Sequence, residues 1–249
     1  MSKIVTILLT VLIVVLTSFS KRKELNKHQI KEPAFSFNQY VVQLYECVND
    51  VDINVEAFNI ALKGYYMLLS NSELENKKYL TIVDMSLSSN AERFYVIDME
   101  NLELVYRSLV AHGRNSGGEF AFNFSNKQNS FQTSLGFYKT GEVYVGKRGF
   151  SMKLDGLEHS NNNARDRGVI IHGADYVSEK FIKENGRLGR SLGCPSLPSK
   201  SIIGVIEMLK EGSCLFVYYP QKKYLSKSKL INSNNDYLLT NSGILSGLE

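Results

Sequence analysis

YLTIVDMSLSSNAERFYVIDMENLELVYRSLV (residues 79–110) carries the pattern that decides the fold. Its runs YLTIVDMSL, RFYVIDM and LELVYRSLV are short, apolar and separated by turn residues. Tyr, Phe and Val recur in them, which is the habit of strands rather than of amphipathic helices. Met99-Glu100-Asn101 reads as a hairpin turn between two of the runs. The same character returns downstream in TSLGFYKT, EVYVG and FSMKLDGL, spaced by about ten residues, with Lys139-Thr140-Gly141 as a second hairpin turn. Residues 168–171 extend the sheet, and alternation puts His172 on the same strand face as Ile170. The expected fold class is mainly β with flanking helices, a β-sandwich or open barrel over residues 79–220.

On the N-terminal side, residues 34–78 contain two amphipathic segments. Tyr40, Val41, Leu44 and Tyr45 share one helical face, and Ala57, Ile60, Ala61, Tyr65 and Leu68 share another. They predict a small helical cap or subdomain, with Gly64 weakening the second helix. Residues 21–33 are polar and charged and read as a linker. Residues 1–20, MSKIVTILLTVLIVVLTSFS, combine Lys3, an apolar run and small residues at Ser18 and Ser20. That is the pattern of a secretory signal, and the alternative is a retained membrane anchor, since Lys21, Arg22 and Lys23 follow at once. Either reading exports the body to the periplasm or cell envelope.

On the C-terminal side, Phe181 and Ile182 mark a short helix ended by Gly186. A glycine-punctuated loop, GRLGRSLGCPSLP, follows. Ile202, Val205, Ile206 and Leu209 then form a helical stripe that Gly212 stops, and CLFVYYP reads as a buried strand. Residues 221–249 are rich in Ser, Asn and Lys and read as a loosely packed tail. The net charge of +4 is spread along the chain, which implies no nucleic-acid partner.

Cys47, Cys194 and Cys214 make an odd count, so an exported chain keeps at least one free thiol. Cys47 falls in an amphipathic helix and Cys214 in an apolar strand, the settings of buried structural cysteines. Cys194 instead lies in an irregular loop between Gly193 and Pro195, with Arg187 and Arg190 upstream. Nearby cations favour the nucleophilic thiolate, and the Gly193 and Cys194 N–H groups suit a developing oxyanion. His172, followed by Gly173, suits a general base near neutral pH. Both residues also have a bland reading, as an ordinary loop cysteine and a satisfied polar histidine. His112-Gly113, in LVAHGRNSGG, either lines the same cleft and binds substrate or serves a turn. Arg190 either binds substrate carboxylates or is solvated. A metal site on His112, His172 and Cys194 is a further, weaker reading.

IHGADYVS and GRLGRSLGCPSLP, with VAHGRNSGG, SLGFYKTGEVYVGK and SMKLDGLE upstream, resemble the L,D-transpeptidase (YkuD-type) catalytic domain family, in its murein branch, over residues 79–219. The resemblance implies Cys194 as acylating nucleophile, His172 as general base, Ser191 opening the cysteine motif and Gly193 preceding the nucleophile. It implies peptidoglycan stem peptides as substrate, a thioester intermediate and no cofactor. Transfer to a second stem would form a 3-3 cross-link, and transfer to water would trim the terminal D-alanine. A wall-peptide hydrolase, or a non-catalytic wall-binding protein of the same fold, would share these residues. Two positions depart from the commoner family pattern: Leu192 stands where a His precedes the Gly-Cys pair, and Ser196 where an Asn or Arg follows the cysteine. With Leu192 unable to hydrogen-bond through its side chain, a backbone carbonyl or the Ser191 hydroxyl is left to orient His172.

Overall fold

The computed structural model describes residues 37–48 and 53–233. The signal or anchor, the linker and the tail from residue 234 lie outside the described residues.

Two helices come first, α1 (Phe37–Val48) and α2 (Val55–Ser70). Asn54 starts α2, its side chain accepting from the N–H groups of Glu56 and Ala57. Tyr40, Val41 and Leu44 of α1 are buried, and so are Ala57, Ile60, Ala61, Tyr65 and Leu68 of α2. They form one hydrophobic core with the strands, so the pair is a layer of the domain rather than a subdomain of its own. Gly64 has a packing reason: a Cβ there would lie 2.0 Å from the Phe137 ring. The missing side chain lets the helix sit down on the sheet.

Eight strands follow: β1 (Tyr79–Asp84), β2 (Phe94–Asp98), β3 (Glu103–Ser108), β4 (Gly136–Gly146), β5 (Gly149–Gly156), β6 (Ile170–Ala174), β7 (Ser196–Pro198) and β8 (Cys214–Tyr218). Helix α3 (Glu179–Asn185) lies between β6 and β7, and α4 (Ile202–Leu209) between β7 and β8. The strands form a single sheet in the order β3-β2-β1-β8-β4-β5-β6-β7. Pairings are antiparallel except β1·β8 and β6·β7. Both β2 and β8 are buried along their whole length, as strands covered on both faces are.

The chain leaving β3 reaches the far end of this order. Ala111 bridges to Ser196 of β7, and Gly113 bridges to Ser191 just before it. The sheet is thereby nearly closed and barrel-like. The expected class, mainly β with flanking helices, is the one observed.

Two local expectations need correction. Lys139-Thr140-Gly141 is no turn: β4 runs through it with an irregularity between Thr140 and Val143. Thr140 is tied there to Leu209 O and Ser213 N through its hydroxyl. The hairpin instead turns at Lys147 and Arg148, between the paired Gly146 and Gly149. The second correction concerns residues 221–233, which are folded as two helical turns, α5 (Lys222–Leu225) and α6 (Lys229–Asn232). One carboxylate holds them: Glu158 accepts from Tyr224 Oη at 2.7 Å, from the Ser228 hydroxyl and from Phe137 N.

Candidate active site

His172 lies within β6, and Ser196 at the start of β7 is its partner in the parallel register. Cys194 therefore sits two residues before the position opposite the histidine. Ser196 is pinned from the other side as well, since Ala111 N donates to its carbonyl at 2.9 Å.

The imidazole has a partner on each nitrogen. Nδ1 lies 2.9 Å from Gly173 O, and a carbonyl only accepts, so Nδ1 carries the proton. Nε2 lies 2.9 Å from Ser196 Oγ. The Tyr176 hydroxyl donates in turn to Ser196 Oγ at 3.0 Å. Burial pushes the His172 pKa below its ordinary value, the Gly173 carbonyl opposes this, and the charge of Arg148 adds to the fall. The ring is thus neutral at neutral pH, with its lone pair on Nε2.

Cys194 is partly exposed, and its thiol points to Gly168 O at 3.7 Å. In this arrangement Nε2 is engaged by Ser196 and the sulfur by Gly168. Burial raises the thiol pKa, while the Ile170 N–H, Arg148 and Arg167 pull it the other way. Both shifts favour the uncharged forms, a thiol at Cys194 and a neutral imidazole at His172.

The cations acting on the sulfur are therefore Arg148 and Arg167, far apart in sequence, rather than Arg187 and Arg190. Arg190 Nη1 donates to Arg114 O at 3.1 Å and Gly117 O at 2.8 Å, and Arg187 Nη1 to Leu188 O. Arg190 so ties the loop after His112 to the cysteine loop. Arg167 is half-buried and stitches residues 125–134 together through Ser125 O, Gln132 O and the Ser130 and Ser134 hydroxyls. Exposed Arg148, at the β4–β5 hairpin, forms no ion pair with a described residue.

Ser191 and Gly193 shape the loop. The Ser191 hydroxyl donates to Cys194 O at 2.7 Å and accepts from Gly193 N at 3.0 Å. The Gly193 N–H is thus spent inside the loop and is no free oxyanion donor here, and Ser191 does not orient His172. Gly193 takes φ +127, and a Cβ there would meet Gln132 O at 2.9 Å. Gly173 also has a close neighbour: a Cβ there would come within 3.0 Å of Ser199 Cα. Leu192 is half-exposed.

His112 is fully buried. Arg93 Nη2 donates to its Nδ1 at 2.8 Å, and the same guanidinium donates to Val110 O and Leu87 O. Burial first, then the Arg93 charge, lowers the His112 pKa to about 4. Gly113 donates to Thr133 Oγ1, and a Cβ there would strike Phe131 O. The pair is buried behind the cysteine loop, Gly113 bridging to Ser191, and no group of three His, Cys, Asp or Glu among the described residues could hold a metal ion. Sequence reading missed Tyr176 and Arg148. Placing the hairpin turn at GKRG would have brought Arg148 near His172, because Ser151 of the following strand pairs with His172. A groove of about 890 Å³ on another surface runs between residues 124–127, 157–160 and the C-terminal turns; neither Cys194 nor His172 lines it.

The sheet is nearly closed, with His172 on β6 and Cys194 in the loop that leads into the adjoining β7. The model of the L,D-transpeptidase catalytic domain matches residues 49–218, and the chain belongs to that family. The family is one of acyltransferases acting on peptidoglycan. Curated proteins give no match. Among solved structures, an L,D-transpeptidase from Mycobacterium smegmatis is similar at 14% identity and TM-score 0.36, over 57% of this chain and 59% of that one. A mutant of the helical cell shape determining protein Pgp2 from Campylobacter jejuni gives 15% and 0.39, over 71% and 60%. An L,D-transpeptidase from Stackebrandtia nassauensis gives 13% and 0.35, over 73% and 77%.

Proposed function

We propose that this chain is a cysteine-dependent murein L,D-transpeptidase that acts on peptidoglycan stem peptides in the cell envelope. The observation that carries the reading is the β6·β7 register, which sets Cys194 two residues from the partner of His172. The thiol turns from Gly168 O toward Nε2, displacing the Ser196 hydroxyl, and His172 takes its proton. The sulfur attacks the carbonyl at the L-configured centre of the third stem residue. Cys194 N–H is the backbone donor left for the oxyanion, since Gly193 N–H is held by Ser191. His172 returns the proton to the departing D-alanine amine, and a thioester remains. The side-chain amine of a second stem, deprotonated by His172, then takes the acyl group and frees the thiol. Arg148, exposed and in no ion pair with a described residue, is suited to bind a substrate carboxylate.

Incubation with tetrapeptide muropeptides followed by mass spectrometry tests this. A 3-3 linked dimer is expected, absent in Cys194→Ala. Tripeptide alone would make the enzyme a carboxypeptidase, and untouched substrate would sink both. Arg148→Ala is expected to raise KM about three- to tenfold with a smaller change in kcat.

A further inference from the structure

We propose that Tyr176 and Ser196 are positioning residues whose hydroxyls form a relay onto His172 Nε2, holding the base neutral and oriented until substrate arrives. The inference rests on His172 being the base of the proposed reaction.

Three observations support it. The relay is directional: Nδ1–H is committed to Gly173 O, so Nε2 must accept, the Ser196 hydroxyl must donate to it, and Tyr176 donates to Ser196. Ser196 cannot drift, because its side chain is fully buried and its backbone lies between His172 of β6 and Ala111. Tyr176 is held by the cysteine loop itself. Gly189 N donates to Tyr176 O at 3.0 Å, and a Cβ on Gly189 would lie 2.4 Å from Tyr176 Cβ and 2.5 Å from its ring. The glycine thus makes room for the ring, and the loop that presents Cys194 also sets the relay.

A hydrogen bond donated to Nε2 favours the neutral imidazole, so its loss raises the pKa. If the two hydroxyls only satisfied each other, His172 would titrate unchanged without them. The test is the His172 titration followed by imidazole NMR in the full chain. Ser196→Ala is expected to raise it by about half to one pH unit, Tyr176→Phe by less, and Ser196→Thr to restore it. With muropeptide, Ser196→Ala should lower kcat about three- to tenfold at little change in KM, with the acidic limb of the profile moving up alongside His172. Should Ser196→Ala not fold, Tyr176→Phe carries the same titration. Identical titration in the wild type and the folded variants overturns the relay, even where turnover that depends on Cys194 persists and the transpeptidase reading stands. A shifted titration with no turnover of muropeptide by the wild type supports the relay and counts against that reading.

Discussion

Among single residues, His112 shows how a buried charge turns a motif residue into a structural one. Arg93 beside it is itself buried, and its pKa falls to about 10, so it stays cationic across the physiological range. The imidazole must then remain neutral. In the unfolded chain His112 takes a proton at its ordinary pKa of about 6.5. In the native state it does so only near 4. Between these values the unfolded chain binds more protons, so stability falls as pH drops from about 6.5 toward 4. The loss reaches roughly 3 kcal/mol for this one group. Urea unfolding at pH 7 and pH 4.5 should show the fall, and His112→Gln, which can still accept from Arg93, should flatten it. A paired His-Gly motif looks alike at residues 112 and 172 in sequence, because what separates them is the partner. One is an arginine nineteen positions upstream, and the other a serine that follows the cysteine by two.

Among elements, the closest fit is that of α2 on β4. Gly64→Ala drives a methyl into the Phe137 ring, whose other face stacks on Phe216 at 4.2 Å. The ring has nowhere to go, so the change should cost about 2–3 kcal/mol by thermal or urea unfolding, and Phe137→Leu should recover part of it. Composition alone made Gly64 a weak point of a helix; only the sheet beneath it turns that weakness into a fit. The strands were legible because period and β-branched or aromatic residues agree in them, and α3 because Gly186 ends it with φ +73. The hairpin turn was misplaced because Thr140-Gly141 has turn chemistry but is spent on a strand irregularity, whereas Lys147-Arg148 has little and makes the turn. The polar stretch after residue 220 hid its anchor, because the Tyr224 and Ser228 hydroxyls gain their meaning from a carboxylate some seventy residues back.

For the whole molecule, the sheet order matters most. Strands β1 to β3 form one block and β4 to β7 another, and β8 is the strand that lies between them. The candidate site belongs mainly to the second block, yet the segment that pins Ser196, at Ala111, extends from the first. Until residues 214–218 take their place, the two blocks lack the strand that lies between them in the sheet and meet only where residues 111–113 bridge to Ser191 and Ser196. Pairings of this kind join residues far apart in sequence, such as Leu80 with Cys214, and they form late. Nature has left a reporter at the seam. Cys214 is fully buried on β8, so during refolding its protection from a pulse of thiol reagent should rise with the regain of activity, while Cys194 stays open to the reagent. Protection of Cys214 well ahead of activity would mean the two blocks join before the site is set. Protection of Cys214 in step with activity would instead make the seating of this middle strand the event that times the first turnover.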